Sequence, residues 1–315
     1  MIQTLNGQGQ CLQYGLQVRL DVTLYRHLGG VKSLLDEANV NVMPHCAKPS
    51  RAQVASFWNF ARCDYLAAYI NHTRTRLDTE DLSLWRSAGL LINNDGLVKP
   101  GKAGFSTYLS GENKVREDMI ANALIFILSR LMNILAADQN TLIDYAGRWD
   151  SLEHELKVWF ESLPESFGFC GRIEADPNSA DLARANFAEV FYSIPLCSVT
   201  MQHYHFAQII ILLHQPREDS NSVQDLLRRY REIPEKIAHH SQEICAIALG
   251  RPPGYVRIHM LQPLFVAGQC LESSEERKVI LELLRGIETD LGWATEYRVK
   301  ELLDEWGWGA DGAPI

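Results

Sequence analysis

Apolar positions recur at three- and four-residue spacing along most of the chain, and strand-like alternation is nearly absent. In 53–77, QVASFWNFARCDYLAAYINHTRTRL, the stripe is Val54, Phe57, Trp58, Ala61, Tyr65, Ala68 and Tyr69. Similar patterns predict helices over 115–137, 139–162, 181–214, 222–249, 255–271, 274–291 and 294–306. The second of these stops before Leu163-Pro164, because the residue ahead of a proline is pushed away from helical torsions. Residues 164–180 carry Pro164, Gly168, Gly171 and Pro177 and read as a loop. The region 89–112 is rich in glycine and is expected to form a flexible loop or lid, and 307–315 a frayed tail. No linker cuts the chain, so the expected architecture is all-α: one compact domain of antiparallel packed helices over 1–315.

The segment 121–137, ANALIFILSRLMNILAA, is the most apolar. Its Asn122, Arg130 and Asn133 fit a core helix better than a membrane span, which needs about 20 mostly apolar residues. The start, MIQTLNGQGQ, is polar and does not resemble a signal peptide.

Composition narrows the chemistry. Thirty basic and 39 acidic residues give a net charge of −9, opposite in sign to the footprint that grips phosphates. The basic run Leu226-Leu227-Arg228-Arg229-Tyr230-Arg231 has acidic neighbours and reads as a solvated helix face. Seven cysteines at irregular spacing, without a CxxC pair, read as free thiols in a reducing compartment.

The densest candidate for chemistry is MQHYHFAQIIILLHQPRED, 201–219, with His203, His205 and His214. Helical residues advance by about 100° each, so His203 and His205 lie about 200° apart. His203 and His214 share a face but are separated by roughly 16 Å along the axis. No two histidines in the chain stand three to five residues apart, the spacing that helical metal sites use. No metal and no cofactor is therefore expected. Nucleophile elbows, phosphate loops and dinucleotide fingerprints are also absent from the sequence. His203, Phe206, Ala207, Ile210, Leu213 and His214 form one stripe, which predicts core histidines at 203 and 214.

Several stretches resemble a known family. YHFAQIIILLHQP, 204–216, resembles the apolar helix of fungal-specific transcription factor domains, which ends in Leu-Leu-His-x-Pro. HLGGVKSLL, 27–35, looks like the family's His-Leu-x-Gly segment. FWNFARCDYLAAY, 57–69, matches its aromatic helix through Trp58, Arg62 and Asp64. WDSLEHELKVWFESLPESF, 149–167, ICAIAL, 244–249, and QPLFVAGQCLESSEER, 262–277, resemble further landmarks in the expected order, from about residue 20 to Trp306. The resemblance implies an all-α regulatory domain. It supplies no catalytic residue, and Trp58, Trp149, Trp159, Pro263 and Phe265 are expected in the core. The family's six-cysteine DNA-reading cluster has no counterpart in this sequence, so no direct contact with nucleic acid is expected.

Two expectations for function follow from the resemblance. The favoured one is a freestanding copy whose apolar cavity binds a hydrophobic small molecule and acts as a cofactor-independent cyclase or cycloaddition catalyst in fungal secondary metabolism. Positioning and a few hydrogen bonds suffice for such reactions. Its candidate catalytic residues are His203, His205 and His259; its candidate pocket residues are Trp58, Tyr65, Tyr204, His239, His240 and Arg257. The alternative is an effector-sensing domain of a transcription regulator. A scaffold without ligand is a third reading. The expected setting is intracellular, cytoplasmic or nuclear, without membrane contact, and the expected assembly is a homodimer.

Overall fold

The computed structural model describes residues 51–98, 113–137, 145–216, 223–309 and 312. The landmark 27–35, the region 99–112, residues 138–144 at the start of one expected helix and most of the tail beyond 309 lie outside them. The elements are overwhelmingly helical, as the spacing predicts, and the fold is all-α. The chain divides into two compact units, Met1–Val98 with Ile125–Asp144, and Lys99–Leu124 with Tyr145–Ile315.

The first unit contains α1 (Arg51–Asn71), α2 (Leu82–Ser87) and the second half of α3 (Asn113–Leu135). Helix α1 ends in a turn that satisfies its last carbonyls: His72 adopts a left-handed φ of 51° and Thr73 N–H donates to Ala68 O at 3.0 Å. Past that turn, buried Asp64 accepts from the backbone N–H groups of Arg76 and Leu77 at 2.7 and 2.9 Å, and from the Arg76 guanidinium at 3.1 Å. Asp64 thus anchors the chain as it leaves its own helix. Asp81 caps α2 by accepting from Ser83 and Leu84 N–H. Phe57, Trp58, Trp85 and Phe126 meet edge to face or tilted, with centroids 4.8–5.7 Å apart. Their polar edges are satisfied: Trp58 Nε1 donates to Ala88 O and Trp85 Nε1 to Asp78 O, both at 2.9 Å.

The second unit contains the first half of α3, then α4 (Tyr145–Glu161), a 3-10 turn (Glu165–Phe167), β1 (Gly171–Ile173), α5 (Leu182–Asn186) and β2 (Glu189–Phe191). It continues with α6 (Pro195–His214), α7 (Val223–Leu249), α8 (Gly254–Arg257), a second 3-10 turn (Ile258–Met260), α9 (Leu261–Cys270), α10 (Ser274–Leu291) and α11 (Glu296–Trp306). The continuous helix expected over 181–214 is not formed. Asp181 starts α5, the β-prone stretch Glu189-Val190-Phe191 pairs antiparallel with β1, and Pro195 opens α6 at its first position, where its missing N–H costs nothing. The loop expected over 164–180 accordingly carries the partner strand.

Helices α6 and α9 both pack on α7. Gln202 Nε2 donates to Ile244 O and His205 meets His240, so α6 and α7 run antiparallel. Phe206, Ala207, Ile209, Ile210 and Ile211 have at most 1% of their surface exposed, and burying a side chain of that size contributes about 1.5–3 kcal/mol. The stretches Glu117–Leu135 and Pro195–His214 are long and apolar enough to cross a membrane, but 67% and 72% of them is buried in the protein. Gly268 lets α9 approach α10 and α11; a Cβ there would lie 3.0 Å from both Ile280 and Leu302. Leu213 and His214, expected in the core, are exposed at the last turn of α6. Trp308, assigned to a frayed tail by its position, is buried: Gly307 turns the chain at φ 66°, and Trp308 packs on Trp306 beside the Arg277 guanidinium.

Candidate functional site

Polar groups with chemical potential gather at two places in the second unit. The first lies between α6 and α7. His205 Nδ1 and His240 Nδ1 stand 2.9 Å apart, and the His239 ring lies 6.4 and 5.3 Å from those of His205 and His240. One imidazole must donate and the other accept, so the contact requires one Nδ1–H and one bare Nδ1. Burial disfavours the charged ring, and the neighbouring imidazoles and Arg172 add to that. His205 is held down at about 3, and His240, beside His239 and Lys236, at about 4. Arg172 is itself occupied by Glu243 at 2.9 Å and Glu174 at 2.9 Å. Among the described residues no group of three or more His, Cys, Asp or Glu is arranged to hold a metal ion.

His203 and His259 are also brought together, through a backbone atom. The α-helical donor for His259 O would be the N–H of residue 263, and that residue is Pro263. The carbonyl instead accepts from His203 Nε2 at 2.9 Å. A carbonyl can only accept, so His203 carries its proton on Nε2, and the ring is fixed as a tie between α6 and the turn before α9. This core histidine is as expected; its partner was hidden until the chain folded.

The second place is a partly open cleft of about 310 Å³ at the end of α7. Ala248 and Leu249 of α7, Met260 and Leu264 around the start of α9, and Leu283 and Ile287 of α10 make its apolar walls. Arg251, Arg257 and Asp290 supply the charge, with Arg257 Nη1 donating to Asp290 Oδ2 at 2.7 Å. Arg251 is held at φ 52°, a left-handed conformation that glycine usually takes at a helix end. The glycine stands one position earlier. Gly250 passes under β2 so closely that a Cβ would lie 1.9 Å from Val190 O.

Of the residues the sequence singles out, Arg257 lines this cleft and His203, His205 and His259 do not. Trp58 and Tyr65 are core residues of the first unit, 6% and 0% exposed. Tyr204 is buried, stacked 4.4 Å from Phe160, and its hydroxyl accepts from Gln208. His239 is exposed. Arg251 and Asp290 were missed. The signal for Arg251 was the Gly-Arg-Pro-Pro-Gly connector at 250–254, a lone charge with one helix breaker before it and three after it.

Comparison with known proteins places the chain among relatives. The family described as fungal specific transcription factor domain matches residues 120–306. A transcription activator of Alternaria alternata, AMTR1, is 35% identical over 314 aligned residues, covering 89% of this chain. The chain spans 41% of that relative's length. No solved structure matches.

Proposed function

Because the chain belongs to the fungal-specific transcription factor domain family, we propose that it is the effector-sensing regulatory domain of a transcription regulator and does not read DNA itself. The observation that carries this reading is the similarity to a transcription activator along 89% of the chain. The net charge of −9 accords with a part that does not grip phosphates. Under this reading the protein works in the nucleus, as a homodimer, without membrane contact. Its partner is a hydrophobic small molecule that binds two states of the helical body unequally and so shifts their balance.

The cyclase expectation gains no support. The histidines that were to face a cavity are engaged elsewhere: His203 holds a carbonyl, and His205 and His240 hold each other. The test is a reporter assay in yeast, with the chain fused to a DNA-binding module of independent specificity. The fusion should alter reporter transcription relative to the module alone and accumulate in the nucleus, while the unfused chain should leave DNA mobility unchanged. An inert fusion, or a purified chain that retards DNA at physiological salt, overturns the reading.

A further inference from the structure

We propose that the cleft at the end of α7 is the effector site, and that its ligand is an apolar molecule carrying one carboxylate, with Arg251 and Arg257 as the head-group receptors. The proposal rests on the regulatory reading and deepens it by naming the site and the ligand class.

Three observations carry it. The walls are aliphatic, from Leu249, Met260, Leu264, Leu283 and Ile287, and a volume of about 310 Å³ sits at the lower end of the range of small-molecule sites. Two arginines and one aspartate, Asp290, line the cleft, so its lining carries a net positive charge in a chain of net charge −9. Arg257 spends only Nη1 on Asp290; among the described residues, its Nε and Nη2 and the whole Arg251 guanidinium meet no acceptor. An unmatched positive charge at an apolar cleft selects an amphipathic monoanion over a neutral or cationic molecule of the same shape.

The backbone adds an independent argument. A non-glycine residue at φ 52° is strained, and such strain gathers at ligand sites. Here it places an arginine at the rim where a glycine would end the helix at no cost. Tyr255 and Trp293 are 68% and 51% exposed, two residues before Arg257 and three after Asp290. Gly254, whose Cβ would lie 2.7 Å from Leu291, lets the α8 turn settle against the end of α10.

The experiment is calorimetric titration of the purified chain with decanoate, below its micelle concentration, against decanol and decyltrimethylammonium of equal chain length. Decanoate should bind, decanol at least about tenfold more weakly, and the cation not measurably. R251Q and R257Q should each weaken decanoate by about tenfold or more. D290N, which releases Arg257, should tighten it. Circular dichroism checks that each variant folds, and the comparison of three head groups on the unaltered chain needs no variant. Equal binding of all three amphiphiles, no binding of decanoate, or indifference to R251Q and R257Q overturns the proposal. None of these readouts involves transcription. A failed titration beside an active reporter fusion removes this site alone, and an inert fusion beside intact decanoate binding removes the regulatory reading alone.

Discussion

Replacing His205 and His240 together by asparagine should make the protein less sensitive to acid. The perturbation keeps the contact: an asparagine amide nitrogen or oxygen can occupy the position of Nδ1, so one partner still donates and the other accepts. What it removes is the titration. In the unfolded chain each histidine takes a proton near 6.5, whereas in the folded protein His205 waits until about 3 and His240 until about 4. Both folded values are depressed. Above pH 6.5 neither state is protonated and the pair leaves stability unchanged. As pH falls below that value, the unfolded state gains protons that the folded state refuses, and stability drops by about 1.4 kcal/mol per pH unit for each site. The loss levels off once the folded values of about 4 and then about 3 are passed. At about pH 5 this amounts to roughly 2 kcal/mol for one histidine and at most about 4 for both, against a total stability of about 5–15 kcal/mol. Urea unfolding at about pH 7.5 and about pH 5 measures it. Carboxylates and the remaining histidines contribute equally to both proteins and cancel in the difference of differences. Wild type should lose about 2–4 kcal/mol more than H205N/H240N over that interval. Losses equal within about 0.5 kcal/mol would show that the histidine pair is solvated, and the argument from burial and mutual repulsion would fail.

Gly250→Ala should destabilise by about 3 kcal/mol or more, read as a lower urea midpoint, because the new methyl group would meet Val190 O at 1.9 Å and only backbone movement can relieve it. In the folded protein a thiol reagent at neutral pH should modify exposed Cys170 quickly and spare Cys197, whose thiol burial pushes up to about 12, and fully buried Cys245; rapid reaction of Cys197 would contradict the packing of α6.

Helical periodicity reported faithfully on the long helices, because the stripe it detects is the surface buried against neighbours. It failed where local chemistry competes with the stripe. Val190 and Phe191 continue the apolar pattern of 181–214, yet their preference for extended backbone, with Pro195 behind them, splits it into α5, β2 and α6. At the far end of α6 the pattern runs on through Leu213 and His214, yet both side chains are exposed. Angular arithmetic put His203 and His205 on different faces of one helix, and they meet different partners, His259 O and His240. It could not see His240, which reaches His205 only because α6 and α7 lie antiparallel with 202 opposite 244. Only half of the tie between His203 and His259 was legible in the sequence, the carbonyl without its helical donor. Pro263 removes the donor for residue 259, which leaves a part-buried carbonyl in need of another partner.

The histidine pair and the cleft differ in what their environments permit. A general base works best with a pKa near the operating pH. At about 3 and about 4, His205 and His240 stay neutral at neutral pH and accept a proton from substrate only at a steep energetic cost. Their Nδ1 atoms are also spent on each other, so a substrate would have to break a 2.9 Å contact before meeting either of them. The pair is therefore suited to holding α6 against α7 in one register. At the cleft the balance is reversed. Arg251 and Arg257 both line the cleft, and among the described residues most of their donors meet no acceptor. A ligand there displaces water from aliphatic walls and loses no existing protein contact of Arg251. Three segments close the cleft, the end of α7, the turn into α9 and the last turns of α10. A guest touching all three would bias how those helices pack, which is the coupling a regulatory domain requires.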